Sequence, residues 1–177
     1  MSTALSWGPS TWYILHTLSL TYTPELMHLY IKFLRLISQT IPCMKCRRHF
    51  NMNLVKTGGI IKNLNNKNQM IKWITDLHNM VNKSNKKREY SYNDAIQLYY
   101  NNDNLIYRKN LFITFLREYV IYNFKFSKHK SIEIMKTLGQ IFPFKNRRKM
   151  FIKMFRKNDI RTIGLLLWLK KYKKILI

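Results

Sequence analysis

Apolar positions along this chain recur with a helical period, and no stretch sustains the strict alternation of a half-buried strand. Gly8-Pro9-Ser10 is a start signal ahead of Trp12, Leu15 and His16, which share one helical face and predict a first helix over Pro9 to Tyr22. Thr23-Pro24 ends it, because proline disfavours helix in the residue before it. A second helix is predicted from Glu25 to Thr40, with Leu29, Phe33, Leu36 and Ile37 at helical spacing. Pro42 closes that element and opens a third helix, which carries Cys43 to about Lys56 and stops at Thr57-Gly58-Gly59. A fourth, over Asn66 to Asn82, places Met70, Trp73, Ile74, Leu77 and Val81 on one face. Lys83 to Arg88 reads as a basic loop, and Asn93 as the cap of a short helix through Asp94 to Tyr100.

Asn101-Asn102-Asp103-Asn104 is a turn cluster and the candidate boundary of the first domain. Beyond it lie helix-like pieces over 105–122, 131–142, 145–157 and 159–177, with Pro143 between two of them. The expected fold is all-α: a compact helical bundle over residues 1–100, then a basic helical extension over 101–177.

Composition adds a charge argument. Thirty-two Lys and Arg face eight Asp and Glu among 177 residues, a formal net charge of +24. Residues 1–100 hold 13 basic and 4 acidic side chains and residues 101–177 hold 19 and 4, so the excess thickens toward the C-terminus. Such a field attracts anionic partners and says little about fold. Hydrophobic residues at 46% suffice for a core and exclude a generically disordered chain. No secretory pattern opens the sequence, and the longest apolar run, Leu165 to Leu169, is far short of the ~18 residues of a membrane span. A soluble intracellular protein is therefore expected, and the sequon Asn82-Lys83-Ser84 is read as unglycosylated.

The two cysteines form Cys43-Met44-Lys45-Cys46 directly after Pro42. A helix that starts there points its unpaired N–H groups and positive dipole end at the sulfurs, and both favour thiolate. Lys45, Arg47 and Arg48 add positive charge. The spacing also lets the sulfurs close into a small, reducible disulfide. Two other readings fit an isolated pair: ordinary buried cysteines, or half of a zinc site completed by His49 and His78. The histidines lie far more than the three to five residues apart found in common fingers. No metal is assigned.

Three segments carry a resemblance. Trp12-Tyr-Ile-Leu-His16-Thr17, Cys43-Met-Lys-Cys46-Arg-Arg-His-Phe50 and Trp73-Ile-Thr-Asp-Leu-His78-Asn79-Met-Val81-Asn82-Lys83 resemble, in order and spacing, the Erv/ALR family of FAD-linked sulfhydryl oxidases. The resemblance covers about residues 7–95. It implies a helical bundle with FAD at its mouth and the Cys43/Cys46 pair as the catalytic disulfide. It also accounts for the absence of any Gly-x-Gly-x-x-Gly. Carried over residue by residue, it implies cofactor contacts from Gly8, Thr11, Trp12, His16 and Tyr22. His78, Asn79, Val81 and Asn82 would line the adenosine side, Lys87 would meet phosphate, and Tyr90 would close the site. Flat rings suit aromatic stacking, amides read ring edges, and an ammonium neutralises diphosphate. Core packing is the alternative for Trp12 and Tyr22, and Trp73 and His49 are read as structural. Ser84 stands where many members are basic, and the family's second, structural cysteine pair and any distal shuttle pair are missing.

The implied reaction takes electrons from a protein dithiol substrate, or a thioredoxin-like carrier, through Cys43 and Cys46 to FAD and then to dioxygen, giving hydrogen peroxide. Cys43 is expected to be the sulfur attacked and Cys46 the flavin-proximal one, although the roles could be reversed. Homodimers are usual in the family. A disulfide-making enzyme without a secretory signal needs a special setting. The host cytoplasm or virion of a large DNA virus is favoured over an ordinary cytoplasm or the mitochondrial intermembrane space. In the extension, Arg147-Arg148-Lys149 and Lys170-Lys171-Tyr172-Lys173-Lys174 interleave with Phe142, Phe144, Phe151, Phe155 and Trp168. That pattern suits nucleic acid or anionic membrane, or a packed subdomain with a solvated basic face. The rival to the oxidase is a non-enzymatic basic helical binding protein. A thioredoxin-like reductase is disfavoured by the lack of a βαβ pattern.

Overall fold

The computed structural model describes residues 4–100, 110–112 and 114–142, together with Lys149. Their regular secondary structure is all helical, with no strand among them. Helix α1 spans Ala4–Leu20. It begins before the predicted Pro9, which lies inside the helix at its sixth residue and leaves the Leu5 carbonyl without an i→i−4 donor. The Ser10 and Thr11 hydroxyls donate to the Trp7 carbonyl at 2.9 and 2.8 Å. Thr23 is extended, as a residue before proline must be, and leads into a 3-10 turn over Pro24–Leu26. Helix α2 spans Met27–Thr40 and buries Phe33, Leu34 and Ile37.

Helix α3 spans Met44–Lys56 with Cys43 as its N-cap, whose sulfur accepts from the Cys46 N–H. Two glycines end it. Gly58 and Gly59 adopt φ of +84° and +82°, the left-handed region that side chains with a Cβ rarely enter. Their N–H groups reach back to the Val55 and Leu54 carbonyls, 3.0 and 2.8 Å away. Helix α4 spans Lys67–Ser84, capped by the Asn66 side chain on the Gln69 N–H. It takes in Lys83 and Ser84, which the sequence assigns to a loop. Helix α5 spans Tyr92–Tyr100. Its cap is Ser91 rather than the expected Asn93: the Ser91 hydroxyl accepts from the Asp94 N–H and the Asp94 carboxylate accepts from the Ser91 N–H, each at 3.0 Å. A reciprocal pair satisfies two orphan donors and outcompetes a lone asparagine.

Past the candidate boundary, Phe112, Phe115, Tyr119, Val120, Ile134 and Leu138 share one hydrophobic core with the first hundred residues. A π-helical segment, Phe115–Ile121, leads into α6 (Tyr122–Phe126) and α7 (Lys128–Ile141). The π segment packs on α1, and α7 lies along α2. Tyr119 ties them together. Its ring meets Trp7 edge-on at 6.3 Å, and its hydroxyl lies 2.9 Å from the Thr40 hydroxyl while donating to the Ile37 carbonyl at 3.1 Å. Phe142, grouped by sequence with the basic and aromatic surface, is instead buried edge-on against Phe112. Its ring is needed to close the core beneath α7, so it is unavailable to an anionic partner. The other aromatics of that surface, and both basic clusters except Lys149, lie outside the described residues. No helix among the described residues is long and apolar enough to cross a membrane.

Candidate active site

Cys46, Phe50 and Leu54 recur every four residues on α3 and turn inward, so the second cysteine faces the interior while Cys43 caps the helix. The two sulfurs are joined in a disulfide. Arg47 forks its guanidinium onto the Ile41 carbonyl, with contacts of 3.0 and 2.8 Å, and so holds the Ile41-Pro42 turn that presents the pair. This spends the Arg47 donors on structure.

Cys46 lines a cavity of about 720 Å³. That volume falls in the range of ~300–1,000 Å³ usual for small-molecule sites. Cys43 is not part of its lining. Helix α1 contributes Gly8, Thr11 and Trp12, and α4 contributes His78, Val81 and Asn82. The loop after α4 adds Lys87, Arg88 and Tyr90. Trp12 stacks face to face on His78 at 4.2 Å and 11°, and Phe50 lies against the same indole at 6.1 Å. The wall is therefore a set of flat rings with Cys46 among them and two cations on the loop.

His16 sits one layer behind this wall. Its Nε2 lies 3.0 Å from His78 Nδ1, and its ring stacks on Tyr99 at 4.0 Å and 5°. Burial holds the His16 pKa well below the usual histidine value, with His78 adding to the effect. Burial also lowers His78, to about 4, helped by the Lys87 ammonium. Both rings are uncharged at neutral pH, so one proton lies between them and the other nitrogen accepts.

Asn79 and Asn82 hold the loop. The Asn79 amide donates to the Tyr90 carbonyl at 2.7 Å and its oxygen accepts from the Tyr90 N–H at 2.9 Å. Asn82 donates to the Arg88 carbonyl at 3.0 Å, and its own carbonyl accepts from the Lys87 N–H. Asn79 is not in the cavity lining, so its part is to place Tyr90. Tyr22 is not in the lining either. The turn after α1 packs its ring on Tyr30, and its hydroxyl donates to the Leu64 carbonyl. Trp73 is core, with its indole N–H on the Thr57 hydroxyl at 2.8 Å, and His49 is exposed on α3.

Sequence reasoning missed Tyr99, Arg88 and Trp7, all of which line the cavity. Tyr99 and Arg88 stand outside the recognisable segments. The signal for Tyr99 was its place four residues after buried Ala95 on α5. No cluster of three or more His, Cys, Asp or Glu side chains able to hold a metal occurs among the described residues.

The residues present fit FAD. Stacked Trp12 and His78 offer faces to flat rings, Lys87 and Arg88 offer charge to a diphosphate, and Cys46 offers a sulfur to a redox-active ring system.

The sequence profile of the Erv1/Alr family matches residues 9–101. The chain is 30% identical over 95 residues to a probable FAD-linked sulfhydryl oxidase of Acanthamoeba polyphaga mimivirus, covering 51% of this chain and 66% of that protein. It is also 30% identical over 99 residues to the FAD-linked sulfhydryl oxidase of African swine fever virus, covering 54% of this chain and 81% of that one. No solved structure matches the chain significantly.

Proposed function

The chain belongs to the Erv1/Alr family, and from that premise we propose that it is an FAD-linked thiol oxidase that makes disulfides in protein substrates through Cys43 and Cys46. The observation that carries the assignment of roles is the asymmetry of the pair: Cys46 lines the ring-walled cavity and Cys43 does not. Trp12, His78 and Val81 hold the flat parts of the cofactor, Gly8 and Thr11 let it approach α1, and Lys87 neutralises its diphosphate, with Arg88 beside it. His16 backs His78, while Asn79 and Asn82 set the loop that carries Tyr90.

A substrate thiolate attacks Cys43 Sγ, the S–S bond breaks, and Cys46 leaves as a thiolate inside the cavity. The substrate's second thiolate then attacks its own mixed-disulfide sulfur and expels Cys43. The substrate has lost two electrons, Cys43 and Cys46 have gained them, and two protons are released. Cys43 is suited to leave because its sulfur caps α3, where the Cys46 N–H, 3.2 Å away, and the helix dipole favour thiolate. FAD, when bound, supplies the two-electron acceptor that reoxidises the pair and delivers the electrons to dioxygen as hydrogen peroxide. Neutral His16 and His78 keep the wall uncharged beside the Cys46 thiolate.

Both relatives are viral proteins, which supports a viral oxidase acting in host cytoplasm or virion. A homodimer and an anionic partner for the basic extension belong to the same reading.

The test is the absorption spectrum of purified protein, taken with dithiothreitol and then with oxygen. Flavin bands near ~450 nm that bleach and return are expected. Cys43→Ser, which leaves the Cys46 thiolate in the cavity, should show a long-wavelength charge-transfer band that Cys46→Ser lacks. A colourless protein that consumes no oxygen even with added FAD would refute the proposal.

A further inference from the structure

Helix α3 has a second face. Its inner positions Cys46, Phe50 and Leu54 are matched on the outside by Met44, Arg48, Met52 and Val55, which share one exposed stripe. Met44 is 64% exposed, Met52 55% and Val55 79%, so three large apolar side chains of one helix stand in water. Scattered exposed apolar residues need no explanation, but three on one stripe do. Lys45 and Lys56 flank the stripe, both exposed, and α3 has no acidic residue. Arg48 lies across the stripe with its guanidinium 3.3 Å from Met44 Sδ. The stripe begins at the residue next to Cys43, the sulfur that does not line the cavity.

We infer that this stripe is the docking face for the protein dithiol: it takes a substrate whose cysteine pair is flanked by acidic and apolar side chains. The inference rests on the oxidase reading above. Three features select this occupant. A thiolate that attacks Cys43 must arrive from outside the cavity, so whatever carries it is placed over the start of α3. Methionine side chains adapt to varied apolar surfaces, as an enzyme with several substrates requires. Lys45 and Lys56 along one edge and Arg48 within the stripe, in a chain of net charge +24, attract an acidic partner and repel a second copy of the chain. The stripe itself has no aromatic ring on which a nucleic-acid base could stack.

The test compares two synthetic dithiol peptides with the FAD-loaded full chain. One carries Asp and Leu around its Cys-x-x-Cys, and the other carries Lys and Ser at those places. The acidic, apolar peptide should be oxidised with a kcat/KM at least about tenfold higher, and added salt should shrink the advantage. A triple variant, Met52→Ser, Val55→Ser and Lys56→Glu, should lose the preference while oxidising dithiothreitol at the wild-type rate. None of the three substituted residues touches the disulfide or lines the cavity. Equal kcat/KM for the two peptides in the wild type overturns the docking face and leaves the oxidase standing. A concentration-dependent dimer that the triple variant abolishes assigns the stripe to a second copy and overturns it as well. A flavin-free chain that oxidises no dithiothreitol overturns both readings.

Discussion

The histidine pair makes the stability of the FAD-free protein depend on pH in a window set by its own burial. His78 titrates at about 4 in the fold, against about 6.5 in an unfolded chain. Between those values the unfolded state binds a proton that the folded state refuses, so stability rises with pH and is lost on acidification. The difference between about 4 and about 6.5 is worth about 3.5 kcal/mol in all, and somewhat more than half of it, about 2 kcal/mol, is gone by about pH 5. His16 moves in the same direction for the same reason, so the loss from the pair exceeds that of His78 alone. Carboxylates do not mimic this. The Asp94 and Glu133 pKa values are lowered by their hydrogen bonds to Ser91 and Lys32, so their stabilisation is present above the ordinary carboxylate range and fails only below it. Urea unfolding of the FAD-free wild type and of His78→Asn, from about pH 7.5 down to about pH 5, separates the contributions. The wild type should lose about 2 kcal/mol more than the variant over that range. Parallel stability curves would show that His78 accepts a proton in the fold, and the account of a neutral, buried pair would be wrong.

Two further outcomes follow from single contacts. Tyr119→Phe removes the hydroxyl shared with Thr40 and Ile37 without changing the ring, and should cost about 1–2 kcal/mol in urea unfolding, because the buried Thr40 hydroxyl loses a partner. Lys87→Ala should weaken FAD binding about tenfold in a flavin fluorescence titration, flatten its salt dependence, and raise the His78 pKa by removing a neighbouring cation.

What was legible in the sequence was what local chemistry decides. Pro24 and Pro42 mark the breaks after α1 and α2, glycines at 58 and 59 stop α3, and the first sulfur of the Cys-x-x-Cys after Pro42 caps α3. The inward spacing of Cys46, Phe50 and Leu54 follows from the same period that places Met70 and Trp73 in the core. Residues that depend on distant partners were not legible. Tyr22 differs from Tyr90 only in what the fold brings to it: Leu64 and Tyr30 in one case, Asn79 and the cavity in the other. Tyr99 joins the site because α5 lays it on His16, 83 positions earlier in the sequence.

Distant partners also decide the role of the described residues beyond 101, where the family match ends. The turn cluster at 101–104 and the basic charge suggested an extension there, either a surface for an anionic partner or a packed subdomain with a solvated basic face. Charge counts only what faces water, and it is blind to Phe115, Tyr119, Val120, Ile134 and Leu138, which are all but inaccessible. Tyr119 clamps the last turn of α2 just ahead of Pro42 and Cys43, and touches Trp7 in the cavity wall. The described residues beyond the family match thus brace both the turn that presents the disulfide and the wall of the cavity. Loss of that brace should loosen the site as well as the fold, so Tyr119→Phe should weaken FAD binding in the same titration that reads Lys87→Ala. Unchanged FAD affinity in a destabilised variant would mean that the brace supports the core alone.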